Sequence, residues 1–127
     1  MQIRIYYEDT DLGGIVYHSN YLKYCERARS EVFFQNNTTP IIDGAHFVVR
    51  KMDCDFLSSA RFGDIIEVSS NIKEIKKASF ILEQEILKDD KIVFKAIVTL
   101  VLVKDGKVQR LNQSIKKSLI LLWDSRC

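Results

Sequence analysis

The chain has 127 residues, of which 46% are hydrophobic and 28% charged, and its formal net charge is +2. That is enough for one domain with one core, and too apolar for a disordered chain. The lysines and arginines are scattered, with only short clusters such as Lys76-Lys77 and Lys116-Lys117, so nothing demands nucleic acid, although a small polyanionic ligand would suit the surface.

Three widely spaced cysteines, Cys25, Cys54 and Cys127, make no Cys-x-x-Cys pair. This argues against a disulfide framework or a zinc knuckle and for a reducing compartment. Residues 1–9 hold no apolar signal-peptide core, and the longest apolar run, residues 119–123, is far short of the roughly 20 residues a spanning helix needs. The expectation is a cytoplasmic protein, with residues 1–127 as a single domain.

In chain order, Ile3, Ile5 and Tyr7 alternate with Arg4, Tyr6 and Glu8, the period of a half-buried strand. Gly13-Gly14 then breaks the pattern. Over residues 19–35 the period changes: Tyr21, Cys25, Ala28 and Val32 share one helical face, with Ser19 or Asn20 as N-cap and Asn36-Asn37-Thr38-Thr39-Pro40 as the stop. Residues 46–57 place Val48, Met52, Cys54 and Phe56 on one strand face, and Ala60-Arg61-Phe62-Gly63-Asp64 reads as a turn. Residues 65–75 form a strand with Ile66, Val68 and Ile72 on one side. A bend at Lys76-Lys77 leads to a strand carrying Phe80, Leu82 and Ile86, and Asp89-Asp90 make a hairpin turn. Residues 92–103, apolar on both faces in their second half, read as a central strand closed by the Asp-Gly turn signal at Asp105-Gly106. In residues 114–123, Ile115, Leu119 and Leu122 recur at helical spacing. The order predicts an α+β domain, one long helix packed on a curved antiparallel sheet of about five strands. Such a sheet has exposed edges, and pairing with a second copy is the usual remedy, so a homo-oligomer is expected.

The chemistry concentrates in residues 7–18. Asp11 follows a strand and adjoins glycines, Tyr7 and His18 flank the turn, and a helix start turns its unpaired N–H groups toward the loop. A carboxylate that attacks a carbonyl or activates water, plus N–H donors for an oxyanion, is the equipment of acyl transfer. The plain alternative is that Asp9 and Asp11 are turn and capping acids, which fits Asp9 better than Asp11. A calcium loop fails, because Gly13 stands at the fifth position and Asn20, rather than a glutamate, at the twelfth. His46 reads as structural, Cys25 as core, and no set of metal ligands, nucleophile elbow or phosphate loop is present. The stripe in residues 119–123 reads as packing or subunit contact, with weak peripheral contact to anionic lipid through Lys116-Lys117 as the alternative.

Asp9-Thr10-Asp11-x-x-Gly14-Ile15-Val16-Tyr17-His18-x-x-Tyr21, followed by Glu26-Arg27-Ala28-Arg29, resembles the hotdog-fold thioesterases. More narrowly it is similar to the YbgC branch of the 4-hydroxybenzoyl-CoA thioesterase-like group, acyl-CoA thioesterases associated with the Tol-Pal system. The likeness is densest over residues 4–34 and continues through Ala60-Arg61-Phe62-Gly63-Asp64. It implies a hotdog fold, hydrolysis of an acyl-CoA to free acid and CoA, and no metal or organic cofactor. By the same resemblance Asp11 is nucleophile or general base, and the His18 N–H is the donor to the thioester carbonyl. The His18 imidazole orients Asp11, water or the leaving thiolate, and Tyr7 faces Asp11 from the strand. The implied partners are the acyl-CoA substrate and further copies of the chain. Alternatives are a thioesterase acting on acyl carrier protein and a non-hydrolytic acyl-binding scaffold of lipid synthesis.

Overall fold

The computed structural model describes residues 1–124; Cys127 lies outside the described residues. The strands are β1 (Gln2–Arg4), β2 (Ile41–Ile42), β3 (Ala45–Phe56), β4 (Ile65–Ile75), β5 (Ser79–Lys88), β6 (Lys91–Lys104) and β7 (Lys107–Gln109). They form one antiparallel sheet in the order β1-β4-β5-β6-β3-β2. The short β7 pairs with Leu102–Lys104 of β6, just past the point where β5 begins at Ser79, and so prolongs the row of β5. As expected, β6 is central. The turns at Asp89-Asp90 (φ 49° and 63°) and Asp105-Gly106 (φ 51° and 75°) are left-handed at both central residues, the backbone twist that tight hairpins need.

Helix α1 (His18–Gln35) lies across the concave face, and Tyr21, Tyr24, Cys25, Ala28, Val32 and Phe33 point into the core. Below them sit Phe80, Leu82, Ile86, Phe94 and Val98, each at most 1% exposed. Burying side chains of this size stabilises the fold by roughly 1.5–3 kcal/mol each before chain entropy is counted. Register shifts at Val49/Lys51, Ile72/Glu74 and Ile86/Leu87 bend the strands around the helix. This is the hotdog architecture the resemblance implied.

Several sequence expectations are corrected. The first strand ends at Arg4, because the Asp9 carboxylate captures the Tyr6 N–H at 2.8 Å and closes Tyr7–Asp9 into a 3-10 turn. Helix α1 takes no side-chain cap from Ser19 or Asn20: its N-cap is Tyr17, and the Asn20 amide instead donates to the Asp9 carbonyl at 2.9 Å. The helix does stop in the expected stretch, ending at Gln35 with Asn36 as C-cap; Asn37 turns left-handed (φ 55°) and the Asn36 amide donates to the Val32 carbonyl. In β3, Met52 and Cys54 are half-buried as expected but Val48 is exposed. The bulge at Val49/Lys51 flips the alternation, so that Phe47 takes the inward place. The tail is a second helix, α2 (Gln113–Asp124), packed against α1 and β4. Leu119 and Trp123 enter the core, and the Trp123 ring lies 5.6 Å from Phe33 and 5.7 Å from Phe80. Among the described residues no helix is long and apolar enough to cross a membrane.

Candidate active site

Residues 10–16 fold into a small hairpin at one end of α1. Thr10 pairs with Val16, the Asp11 N–H donates to the Ile15 carbonyl at 2.9 Å, and the Gly14 N–H donates to the Asp11 carbonyl at 3.0 Å. The two glycines serve the turn differently. Gly14 is left-handed (φ 77°). A Cβ on Gly13 would stand 3.2 Å from Asp11 Oδ1, the atom that accepts the Gly13 N–H at 2.8 Å. That local bond pins the carboxylate by one oxygen, and Oδ2 has no protein partner among the described residues.

The hairpin is anchored on three sides. The Val16 N–H donates to the Ala60 carbonyl at 2.9 Å, Ile15 bridges to Arg61, and the Tyr17 N–H donates to the Asp9 carbonyl at 2.9 Å. The buried Tyr21 hydroxyl in turn accepts the Ala60 N–H at 3.1 Å, and its ring stacks on Phe94. Asp64 then braces the turn after Ala60, accepting the Arg61 N–H at 2.7 Å and the Lys88 ammonium at 2.8 Å. Burial pushes the Asp64 carboxyl up, but the Lys88 and Arg61 hydrogen bonds and the Lys88 charge outweigh it, and the group lies below the ordinary carboxylate value. Asp9 is the scaffolding acid, bonded to Tyr6 and lying beside the buried Tyr24 hydroxyl. Burial first and the Asp9 charge second push that phenol up.

An open depression of about 810 Å³ runs beside the hairpin, lined by Tyr7, Thr10, Asp11, Leu12, Gly14 and Phe62, with Glu8 at its margin. Two of the expected site residues, Tyr7 and Asp11, are thus brought together. Tyr7 reaches this place from the 3-10 turn rather than from a strand, is 81% exposed, and meets Phe62 edge-on at 6.4 Å. The His18 ring does not line the depression. It lies 4.5 Å from Tyr17 and 6.1 Å from Phe56, while the backbone of His18 opens α1, where N–H groups lack partners within the helix. Sequence reasoning missed Phe62 and Leu12 as walls. The signal was present: large apolar residues inside turns, where water would otherwise be their only neighbour.

Residues 13–95 match the family model described as the thioesterase superfamily. The chain belongs to this superfamily. It is 51% identical over 86 residues to the acyl-CoA thioesterase YbgC of Helicobacter pylori, an alignment covering 68% of this chain and 65% of that protein. The chain therefore matches just under two thirds of the length of that relative. Haemophilus influenzae has a protein of the same name that is 35% identical over 111 residues, 84% of this chain and 82% of the other. A probable thioesterase of known structure from Bartonella henselae superposes with a TM-score of 0.81 at 32% identity, covering 88% of this chain and 97% of its own. Among the described residues no three His, Cys, Asp or Glu side chains are grouped as metal ligands. Cys25 offers no thiolate nucleophile: burial pushes its thiol up to about 12 despite the opposing pull of Arg29.

Proposed function

We propose that the protein is an acyl-CoA thioesterase whose reactive group is Asp11. The observation that carries this is the carboxylate itself: one oxygen is held by the Gly13 N–H, and the other is open to the depression lined by Tyr7 and Phe62. The names of the Helicobacter and Haemophilus relatives supply the substrate class. A thioester carbonyl has little of the resonance that protects an amide, so a carboxylate and a backbone donor suffice without a catalytic triad. Asp11 takes a proton from water as the water oxygen attacks the carbonyl carbon, or attacks that carbon itself to give an anhydride that water then opens. In either course the C–S bond breaks, the CoA sulfur leaves as thiolate and takes up a proton, and the acid is freed. The N–H at the start of α1, that of His18, is the donor assigned to the developing oxyanion. The ring of His18 and the hydroxyl of Tyr7 are assigned to orienting water or the departing thiolate.

The working unit is a pair of chains joined along β3. Strand β2 covers only Ala45 and His46, so among the described residues the outer edge of β3 is unpaired from Phe47 onward. Exposed apolar residues lie along it: Val48, Val49, Phe56 and the adjoining Leu57. The free part of the β4 edge instead carries Ser69, Ser70, Lys73 and Glu74, residues that discourage pairing. Phe56 lies beside the His18 ring, so pairing at β3 would bring a second chain up to the helix start.

The test is release of free thiol from a panel of acyl-CoA and acyl-carrier-protein thioesters, with molecular mass measured by light scattering. Lack of turnover on the whole panel, or undiminished turnover in Asp11→Asn, would sink the assignment. One turnover in ¹⁸O-water separates the two courses, because only the anhydride route can leave label in Asp11.

A further inference from the structure

Farther along α1 lies a second cavity, of about 240 Å³, which shares no lining residue with the depression at Asp11. Its walls are Phe33, Pro40, Phe47, Val49 and Leu100, with Ser30 and two charged residues, Glu26 and Arg29, completing the lining from the helix. Arg29 is eleven residues past His18, about 16 Å along the helix axis. The two sites are therefore apart within one chain.

Arg29 is the unexplained member. It is 8% exposed, yet none of the ion pairs among the described residues includes it. One guanidinium nitrogen donates to Gln84 Oε1 at 2.8 Å. The Gln84 amide is committed in turn to the Cys25 carbonyl and the Ser70 hydroxyl, both at 3.0 Å, and has no negative charge to offer. A guanidinium carries five N–H donors and cannot shed its charge. A buried cation served by one neutral acceptor is costly, and an anion that supplies two more acceptors relieves it. Glu26, which shares the cavity lining, makes no ion pair with Arg29. It is exposed, and its Oε1 accepts a hydrogen bond from Ser30 Oγ at 2.9 Å. Burial lowers the Arg29 guanidinium, and the opposing pulls of Cys25 and then Glu26 do not reverse it.

We propose that this cavity binds a small monocarboxylate with an apolar body, its carboxylate paired with Arg29 and its body against Phe33, Phe47 and Leu100. The size fits: an apolar cavity of about 150 Å³ holds benzene, and 240 Å³ leaves room for a carboxylate on the ring. The apolar walls select against inorganic phosphate, which has charge without a body to bury. A free carboxylic acid and a CoA-linked acyl group ending in a carboxylate share this chemistry. The site stands apart from the reading of Asp11, and the Asp11→Asn variant separates the two.

The experiment follows the Arg29 Nε–H resonance by NMR while benzoate, glutaryl-CoA or inorganic phosphate is added to the full chain, in wild type and in Asp11→Asn. Benzoate should shift that resonance saturably in both proteins, and phosphate should not. Glutaryl-CoA shifting it where benzoate does not would assign the site to tethered acids, and the reverse to free ones. Arg29→Met, read by calorimetry, should weaken benzoate at least about tenfold, the worth of one charge-assisted pair. Ser30→Phe narrows the cavity from the helix surface without touching Gln84 and should weaken it similarly, which decides the matter if Arg29→Met fails to fold. Silence of the Arg29 resonance toward both carboxylates, or unchanged affinity in the folded variants, would overturn the proposal. Loss of turnover in Asp11→Asn with benzoate binding intact would leave both readings standing, each on its own result.

Discussion

The Asp11 hairpin, just before the start of α1, and the Arg29–Gln84 centre, where α1 meets β5, use polar groups in opposite ways. At the hairpin the carboxylate is exposed, and its single bond spans two residues. At the centre, Gln84 is fully buried and ties together groups 55 and 59 positions away in sequence. The first arrangement leaves an oxygen free for chemistry and contributes little to stability. The second commits its acceptors to holding helix against sheet. With Asp11 as the proposed reaction group, the reacting and the stabilising groups are different residues, so they can be broken separately.

The sharpest way to separate them is Asp11→Asn. The amide keeps the bond to the Gly13 N–H, so the melting temperature should hold while CoA release falls by roughly 10²–10⁴-fold, the range for loss of a general base. Leu82→Ala should do the reverse. This fully buried side chain would leave a cavity costing about 2–5 kcal/mol in denaturant titrations, with turnover per folded molecule unchanged. Gln84→Leu would strip an acceptor from Arg29 and a donor from the Cys25 carbonyl, a loss of about 1–3 kcal/mol.

Tyr21→Phe would blur the comparison, because the buried Tyr21 hydroxyl is a stabilising group that also holds Ala60, the anchor of the hairpin. Leaving the Ala60 N–H unsatisfied should cost about 1 kcal/mol, and the loosened anchor of Val16 should lower turnover a few-fold, read as kcat. The smallest effect is that of Asp64. Its folded pKa is depressed, so its contribution is complete above the ordinary value of 3.8 and is lost as the pH falls through the lower folded value. The stability gap between wild type and Asp64→Asn should therefore be present at pH 7 and shrink below about pH 4. A gap that widens on acidification would contradict the bracing role given to the Lys88–Asp64 pair.

Much of the scaffold was legible in the residues. The helical face of Tyr21, Cys25, Ala28 and Val32, the strand faces of Ile66 with Val68 and of Phe80, Leu82 and Ile86, and the aspartate-rich turns all follow from periodicity and turn chemistry, which are local properties. The failures are equally particular. Ile3, Ile5 and Tyr7 alternate, yet the strand stops because Asp9 competes for the Tyr6 N–H. Val48 sits in phase with Met52, but a bulge lies between them. For the candidate site, Asp11 and Tyr7 were legible as neighbours in sequence, whereas Phe62 reaches them only through the Ile15–Arg61 bridge.

By itself the sequence determined the family, the helix and its buried face, the central strand, and the glycine-rich loop that presents Asp11. These depend on spacing along the chain, where a period or a left-handed turn leaves a direct imprint in residue type. Tertiary structure alone decided that the His18 ring turns toward Phe56 and that Arg29 is buried with no ion-pair partner among the described residues. The first depends on strand β3 and the second on Gln84 of β5, and no periodicity within α1 records what the sheet places opposite it.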